Sequence, residues 1–315
     1  MFNTPIIYIA YNRINTVKKT FSIIKKLKPQ KLLVILDGPK NLEDKKNCIK
    51  VKKYIKKNIK WKVKKIFIES KNNKGLKKNI IGGLNKAFRI YSKAIIIEDD
   101  CLLDLSFFKF CEQLLTFHKN DKKIWGITSQ TFLKSKRSDY FYSKYAHCWG
   151  WATWSDRWKK FDKKMSFWPQ WKKSSHWKNL FDYELEKKYW EYIYNKTYFN
   201  HIKSWNYIWQ AFVWRHNGLI ATPYKNLVQN IGFGADSTNT KYKNRNLIRK
   251  VYEIKHVKNN NNFIINKCND KYVFFNIYFS NKFFLKNFSI YYLLYIILNP
   301  KFLFDKTLKY LSKKK

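Results

Sequence analysis

The amino-acid sequence predicts an α/β fold: a mostly parallel sheet with helices on both faces. Three observations carry that expectation. Short apolar runs alternate with segments of helical period through the first hundred residues. Each run is almost continuously apolar, as in strands buried on both sides. Each also stops at a polar or glycine-containing turn.

Pro5 to Tyr11 (PIIYIAY) reads as the first strand and stops at Asn12-Arg13. Thr16 to Leu27 places Val17, Phe21, Ile24 and Leu27 on one helical face, with lysines opposite. Lys31 to Leu36 (KLLVIL) is a second strand, closed by Asp37-Gly38-Pro39. Leu42 to Ile59 reads as a basic helix and Val63 to Glu69 as a third strand. A loop from Ser70 to Gly75 leads into a helix from about Leu76 to Tyr91. Ala94 to Ile97 is a fourth strand, ending in Glu98-Asp99-Asp100. Ser106 to Lys119 is an amphipathic helix with Ser106 as its cap. Ligands of such sheets bind outside the carboxyl ends of the strands. Asn12-Arg13, Asp37-Gly38, the loop after Glu69 and the three acids should therefore converge on one edge.

At 315 residues the chain can bury a sizeable core, and 45% hydrophobic and 19% aromatic residues exclude a disordered protein. The formal net charge of +44 has a mundane source as well as a functional one. Lys, Asn, Ile, Phe and Tyr are abundant together, and all belong to A/T-rich codons. The charge is spread along the chain, so no specific nucleic-acid partner is expected; an anionic membrane surface or a polyphosphate ligand fits better. Five scattered cysteines without a CxxC suit a reducing cytosol. The N-terminus lacks the pattern of a signal peptide, and no segment offers the uninterrupted apolar run of a membrane span.

Three consecutive acids repel one another. They form either a solvated turn neutralised by lysines or a site for a hard cation, Mg²⁺ or Mn²⁺, which prefers carboxylate and phosphate oxygens. The indoles of "HCWGWATW" (His147 to Trp154) pack an aromatic core or form a platform for the C–H face of a sugar. His147 has no second His or Cys at ligand spacing.

The order of motifs resembles the GT-A nucleotide-diphospho-sugar transferases, in particular a bacterial group of hemolytic-protein-like glycosyltransferases. The EDD form is also similar to that of N-acetylglucosaminyltransferase I. The segments that carry the resemblance include "TPIIYIAYNR", "LDGPK", "NKGLKKNIIGGLN", "IIIEDDCLL", "YAHCWGWATWSDRW" and "HNGLIATPYKNLVQNIGFGADSTNT", spread in order over about residues 4–257. It implies a GT-A (Rossmann-like) domain over residues 1–245, with a nucleotide-binding half (1–104) and an acceptor half (105–245). Residues 246–315 form a helical, aromatic extension.

The resemblance also implies roles. Asp37 faces the nucleobase, Arg13 lies near the nucleotide, and Gly75 and Asn79 border it. Asp99 lies near the ribose or donor sugar, Asp100 ligates the metal and Glu98 supports it. Trp149, Gly150 and Trp151 form the acceptor platform. Read from the residues alone, Asp37 and Gly75 are equally turn residues.

Inverting sugar transfer needs a carboxylate base. The resemblance places it in a Trp-Asp-x-x-Trp segment, where this chain carries Asn206, and an amide cannot serve. Asp236, in the Gly-containing loop GFGAD, is the substitute candidate; binding acceptor or capping a turn are its other readings. Asn239 stands where relatives tend to carry His. The tail, "FFLKNFSIYYLLYIILNPKFLF", is a packed terminal helix or an interfacial anchor. The expected activity is metal-dependent transfer from a nucleotide-sugar donor, UDP-linked, to a glycan or lipid-linked acceptor in bacterial surface-glycan assembly. It would take place in the cytoplasm or on the inner face of the membrane. The rivals are a sugar nucleotidyltransferase, which normally carries a Gly-rich signature where this chain has AYNRINT, and a degenerate basic binding protein.

Overall fold

The computed structural model describes residues 2–133, 135, 137, 139–233, 249–255 and 257–279. Its architecture is the expected α/β one. β1 (Ile6–Ala10), β2 (Lys31–Leu36), β3 (Lys64–Glu69) and β4 (Lys93–Glu98) form four parallel strands in the order β3-β2-β1-β4. β1 is wholly buried because its alternate side chains feed two cores: Ile7 and Ile9 one, Ile6, Tyr8 and Ala10 the other. The intervening helices α1 (Ile14–Leu27), α2 (Leu42–Asn58) and α3 (Leu76–Ile90) cover both faces, α1 and α2 on one and α3 on the other.

A short strand, β5 (Cys101–Leu103), and α4 (Ser106–Phe117) come after the acids. Ser106 is not the cap of α4. Asp104 Oδ1 accepts from the Ser106 N–H at 2.8 Å and its hydroxyl at 2.6 Å. The acid two residues earlier reaches the orphan donors first.

The second half of the chain extends the sheet. β6 (Ile124–Thr128), β7 (Tyr140–Ser143), β8 (Trp151–Trp154) and β9 (Leu219–Pro223) continue it in the order β4-β8-β6-β9-β7. β8 is antiparallel to both β4 and β6, so the parallel half ends at β4. Three short helices, α5 (Ser155–Trp158), α6 (Trp168–Trp171) and α7 (Ser175–Lys178), precede α8 (Glu184–Tyr198) and α9 (Trp205–Arg215). They bury Trp158, Trp168, Trp177, Trp190, Trp209 and Trp214 against the face that α3 covers. A last short strand, β10 (Val228–Asn230), pairs antiparallel with β5.

The described part of the C-terminal extension packs onto this body. Ile265 bridges Tyr142 of β7, and α10 (Lys267–Val273) runs into a π-helical turn at Phe274–Tyr278, with Phe274, Phe275 and Phe279 in the core. No described helix is long and apolar enough to cross a membrane. The tail lies outside the described residues.

Candidate active site

Strand order makes the site. From β1 the chain moves outward to β2 and β3, then returns to β4 on the other side of β1. The loops after β1 and β4 therefore diverge and leave a crevice at the carboxyl edge, the place where open α/β sheets bind ligands. A cavity of about 410 Å³ occupies it. Arg13, Asp37, Gly75, Asn79, Glu98 and Asp99, the six residues read as donor-binding, all line it. Lys40 adds a second cation to its wall.

Arg13, at the mouth of α1, sits against the acids. Its Nη2 pairs with Asp99 and lies 3.0 Å from Asp100 Oδ2. Asp99 is buried and also accepts the Tyr11 N–H at 3.3 Å. Its main-chain oxygen accepts from Thr20 at 3.2 Å, and Thr20 in turn is 2.7 Å from the Tyr8 hydroxyl. Burial, reinforced by Asp100 and Asp99, pushes the Glu98 carboxyl up to about 8 against the pull of Arg13. Asp99 rises to about 6, with burial dominant, Arg13 opposing and Asp100 adding to it.

Asp37 is spent mostly on its own surroundings. Its buried carboxylate accepts the N–H groups of Gly38 and Lys74 at 2.9 Å and Gly75 at 3.0 Å, and the Asn73 amide at 3.2 Å. It thereby ties the end of β2 to the loop after β3 and sets the entry to α3. Gly75 caps that helix with φ +74°, a conformation that favours glycine, and a Cβ there would meet nothing within 4 Å. The N-termini of α1 and α3 both open at the crevice, which suits an anionic ligand.

Asp44 escapes sequence reasoning. Tyr11 and Asn12, in the loop after β1, both donate to its carboxylate, and the Lys40 N–H does so at 3.0 Å. Asn41 caps α2 by accepting the Asp44 N–H at 2.9 Å. The pattern Asn-x-x-Asp signals that cap in the sequence, but not the reach of the acid to a loop about thirty residues earlier.

Asp100 meets the same Arg13 nitrogen as Asp99 but does not line the cavity. Its main-chain oxygen accepts the Ile231 N–H at 2.8 Å, so the chain leaving β10 passes directly over it. A Cβ on Gly232 would overlap the Asp100 carboxylate and lie 2.8 Å from Arg13 Nη1. Glycine is needed there for close approach. Phe233 then meets Trp149 edge-on, with ring centroids 6.2 Å apart. Asp236 and Asn239 lie outside the described residues.

The other residues expected on the acceptor side divide between surface and core. Trp149 is part-exposed, whereas Trp151 is buried among Trp158, Trp205 and Trp209. Trp151 is thus a core residue in this fold. Gly150 has φ +72°, and a Cβ would lie 2.6 Å from Leu103 and 3.0 Å from Ser129. Asn206 sits in the first turn of α9, away from the cavity lining, with its side-chain oxygen buried and unpartnered among the described residues.

Glu98, Asp99 and Asp100 are the described acids that a hard divalent cation could meet here. Three carboxylates face one guanidinium, and no described residue donates a hydrogen bond to Glu98. Among the described residues no three His, Cys, Asp or Glu side chains are placed to hold an ion unaided. Such an ion would take ligand oxygens and water as well.

No protein-family model matches the sequence, and no curated protein does. Some solved structures are similar in part. The mannosyltransferase PcManGT from Pyrobaculum calidifontis, in complex with GDP-Man and Mn²⁺, is 11% identical, with a TM-score of 0.32 over 49% of this chain and 45% of that one. S. aureus TarS 1-349 is 12% identical, with a TM-score of 0.35 over 52% and 50%. HddC from Yersinia pseudotuberculosis, complexed with GMP-PN, is 13% identical, with a TM-score of 0.31 over 54% and 86%. The chain spans about half the length of the first two. These likenesses are partial, and the functional reading rests on the site itself.

Proposed function

We propose that the protein is a metal-dependent glycosyltransferase that takes a sugar from a nucleoside-diphosphate donor, UDP-linked, and passes it to a glycan or glycolipid acceptor. One observation carries this reading: six residues scattered from position 13 to 99 line a single crevice at the switch point of a parallel sheet. Arg13 and Lys40 offer two cations to a diphosphate, and two helix N-termini face the same space. Asp37 holds the floor of the nucleotide half in shape. Asp100 is the residue that would hold Mg²⁺ or Mn²⁺, with Glu98 as a supporting acid; the ion when bound neutralises charge on the departing diphosphate. An attacking hydroxyl must lose a proton, and Asn206 cannot take it. The base is assigned to Asp236, four residues beyond Gly232 in the sequence. The reading extends to inverting hexosyl transfer in bacterial surface-polysaccharide or lipooligosaccharide assembly, at the cytoplasmic face of the membrane.

The test is release of nucleoside diphosphate from a panel of sugar nucleotides with Mn²⁺ or Mg²⁺. Wild-type protein should turn over at least one donor, and Asp100→Ala should abolish release. Equal behaviour of the two proteins with every donor sinks the proposal. Pyrophosphate formation from a sugar phosphate and a nucleoside triphosphate would replace it with a nucleotidyltransferase.

A further inference from the structure

The strongest charge asymmetry lies away from the crevice. Between Asp44 and Glu69 the chain carries eleven lysines and no acid, a quarter of the net charge in 24 of 315 residues. The fold gathers them onto one flank, formed by α2 and by β3 at the edge of the sheet, where Glu69 at the end of β3 pairs with Lys52 and Lys56. Lys25 of α1 joins that flank, its Nζ lying 2.8 Å from Asn58 at the end of α2.

Three features of the flank say what it fits. First, α2 turns Val51 and Ile55 into the core, while Leu42, Lys46, Ile49 and Lys53 recur at three- and four-residue spacing on the opposite face. Leu42 is 78% exposed and Ile49 43%, so this face is basic with apolar side chains standing out between the charges. Lysine at the edge strand also guards against strand pairing, which accounts for Lys64 and Lys65 but not for the lysines of α2. Second, no arginine occurs between Arg13 and Arg89, so the flank has no planar fork to read single phosphates or bases. Third, its aromatic rings are engaged elsewhere, since Tyr54, Trp61 and Phe67 pack against the core. The Trp61 indole is tied to the Pro29 oxygen at 2.9 Å, and Lys56 covers the Phe67 ring at 4.9 Å. Point charges on flexible stems around exposed Leu and Ile suit a diffuse anionic sheet with an apolar interior, rather than a nucleic acid.

We infer that the α2–β3 flank is a docking surface for the headgroup layer of an anionic bilayer, with Leu42 and Ile49 entering the boundary of the acyl chains. Leu42 comes just after the loop that carries Lys40 on the cavity wall, so docking on this flank holds the mouth of the crevice beside the membrane. Binding alone tests this, without turnover. The probe is sedimentation with vesicles of phosphatidylcholine and phosphatidylglycerol (7:3) against pure phosphatidylcholine, across a salt series. Lys46→Glu/Lys53→Glu/Lys57→Glu is compared with a matched swap on the other face of the sheet, Lys159→Glu/Lys160→Glu/Lys163→Glu, all six positions being exposed. Thermal melts confirm that both variants fold. The first swap should weaken binding to anionic vesicles about a hundredfold or more, the second severalfold at most. Leu42→Ser/Ile49→Ser should also weaken it, with the salt dependence unchanged. Equal losses from the two charge swaps would overturn the assignment, as would retention of binding by the α2 variant. Binding to RNA with none to anionic vesicles would overturn it too.

Discussion

Arg13 carries the electrostatics of the acid cluster, and its removal can be worked through in numbers. In Arg13→Met the stem volume is nearly kept but the cation is lost. Asp99 is then left with a 4% exposed carboxylate and no counter-charge. Breaking a buried pair from one side costs about 3–5 kcal/mol; Arg13 is itself 21% exposed, so about 3 kcal/mol is expected at pH 8. The pH dependence comes from the sign of the shift. Burial already holds the Asp99 carboxyl above its unfolded pKa in the folded wild type, and loss of Arg13 moves it higher. A carboxyl raised in this way favours folding at low pH and loses that contribution as pH rises through the folded pKa. At pH 5 Asp99 is protonated in the variant, and only the hydrogen bonds are lost, about 1 kcal/mol. Urea denaturation at pH 5 and pH 8 measures both values. Arg13→Met/Asp99→Asn should recover most of the loss at pH 8, a coupling of about 2 kcal/mol. Equal destabilisation at both pH values, or strict additivity of the two substitutions, refutes the account.

Further predictions concern the scaffold around the crevice. Asp37→Asn turns an amide N–H₂ toward main-chain donors that the carboxylate now accepts; a loss of about 2–3 kcal/mol is expected in urea denaturation. Gly232→Ala should leave global stability within about 1 kcal/mol, because the loop can shift, yet lower nucleotide-sugar turnover about a hundredfold by displacing Arg13 and Asp100. Unchanged turnover would show that this approach is incidental. Asp270, buried beneath β7, is pushed up to about 6 by burial despite bonds from Ser143 at 2.5 Å and from the Lys144 N–H at 3.0 Å. Wild-type protein should therefore gain stability relative to Asp270→Asn as pH falls from 7 to 4, by about 2–3 kcal/mol. A flat difference in melting temperature across that range contradicts it.

The crevice edge of the site is readable in the sequence because it depends on strand ends. Long apolar runs announce β1, β2 and β4, and the residues just beyond each run must lie at the carboxyl edge. Arg13, Asp37 and Glu98 can therefore be placed together without any knowledge of contacts. Strand boundaries shift by only a residue or so, as with Lys93–Glu98 against the expected Ala94 to Ile97. The second half resists the same reading. β7 and β8 are four-residue strands, YFYS and WATW, buried at every position and too short to show a period. Neither β8's insertion between β4 and β6 nor Trp151's place in the core leaves a local signature. Asp44 is hidden for a related reason: its cap is a local pattern, but its partners Tyr11 and Asn12 are brought to it by the sheet. The expected Ser106 cap errs by less than a turn, because the residue types that favour caps also occupy first turns.

The pairing of β5 with β10 has a consequence for how this chain can be divided. A cut after residue 104 would separate the acids from the strand that returns Ile231 and Gly232 over Asp100. The two halves are therefore poor units for exchange. A chimera that took its second half from another protein would inherit a foreign lid on its own acid cluster. It would keep the crevice and lose the fit of the main chain against Asp100. Shuffling in the laboratory should succeed only at joints that move β5 and β10 together and so leave that ribbon in place.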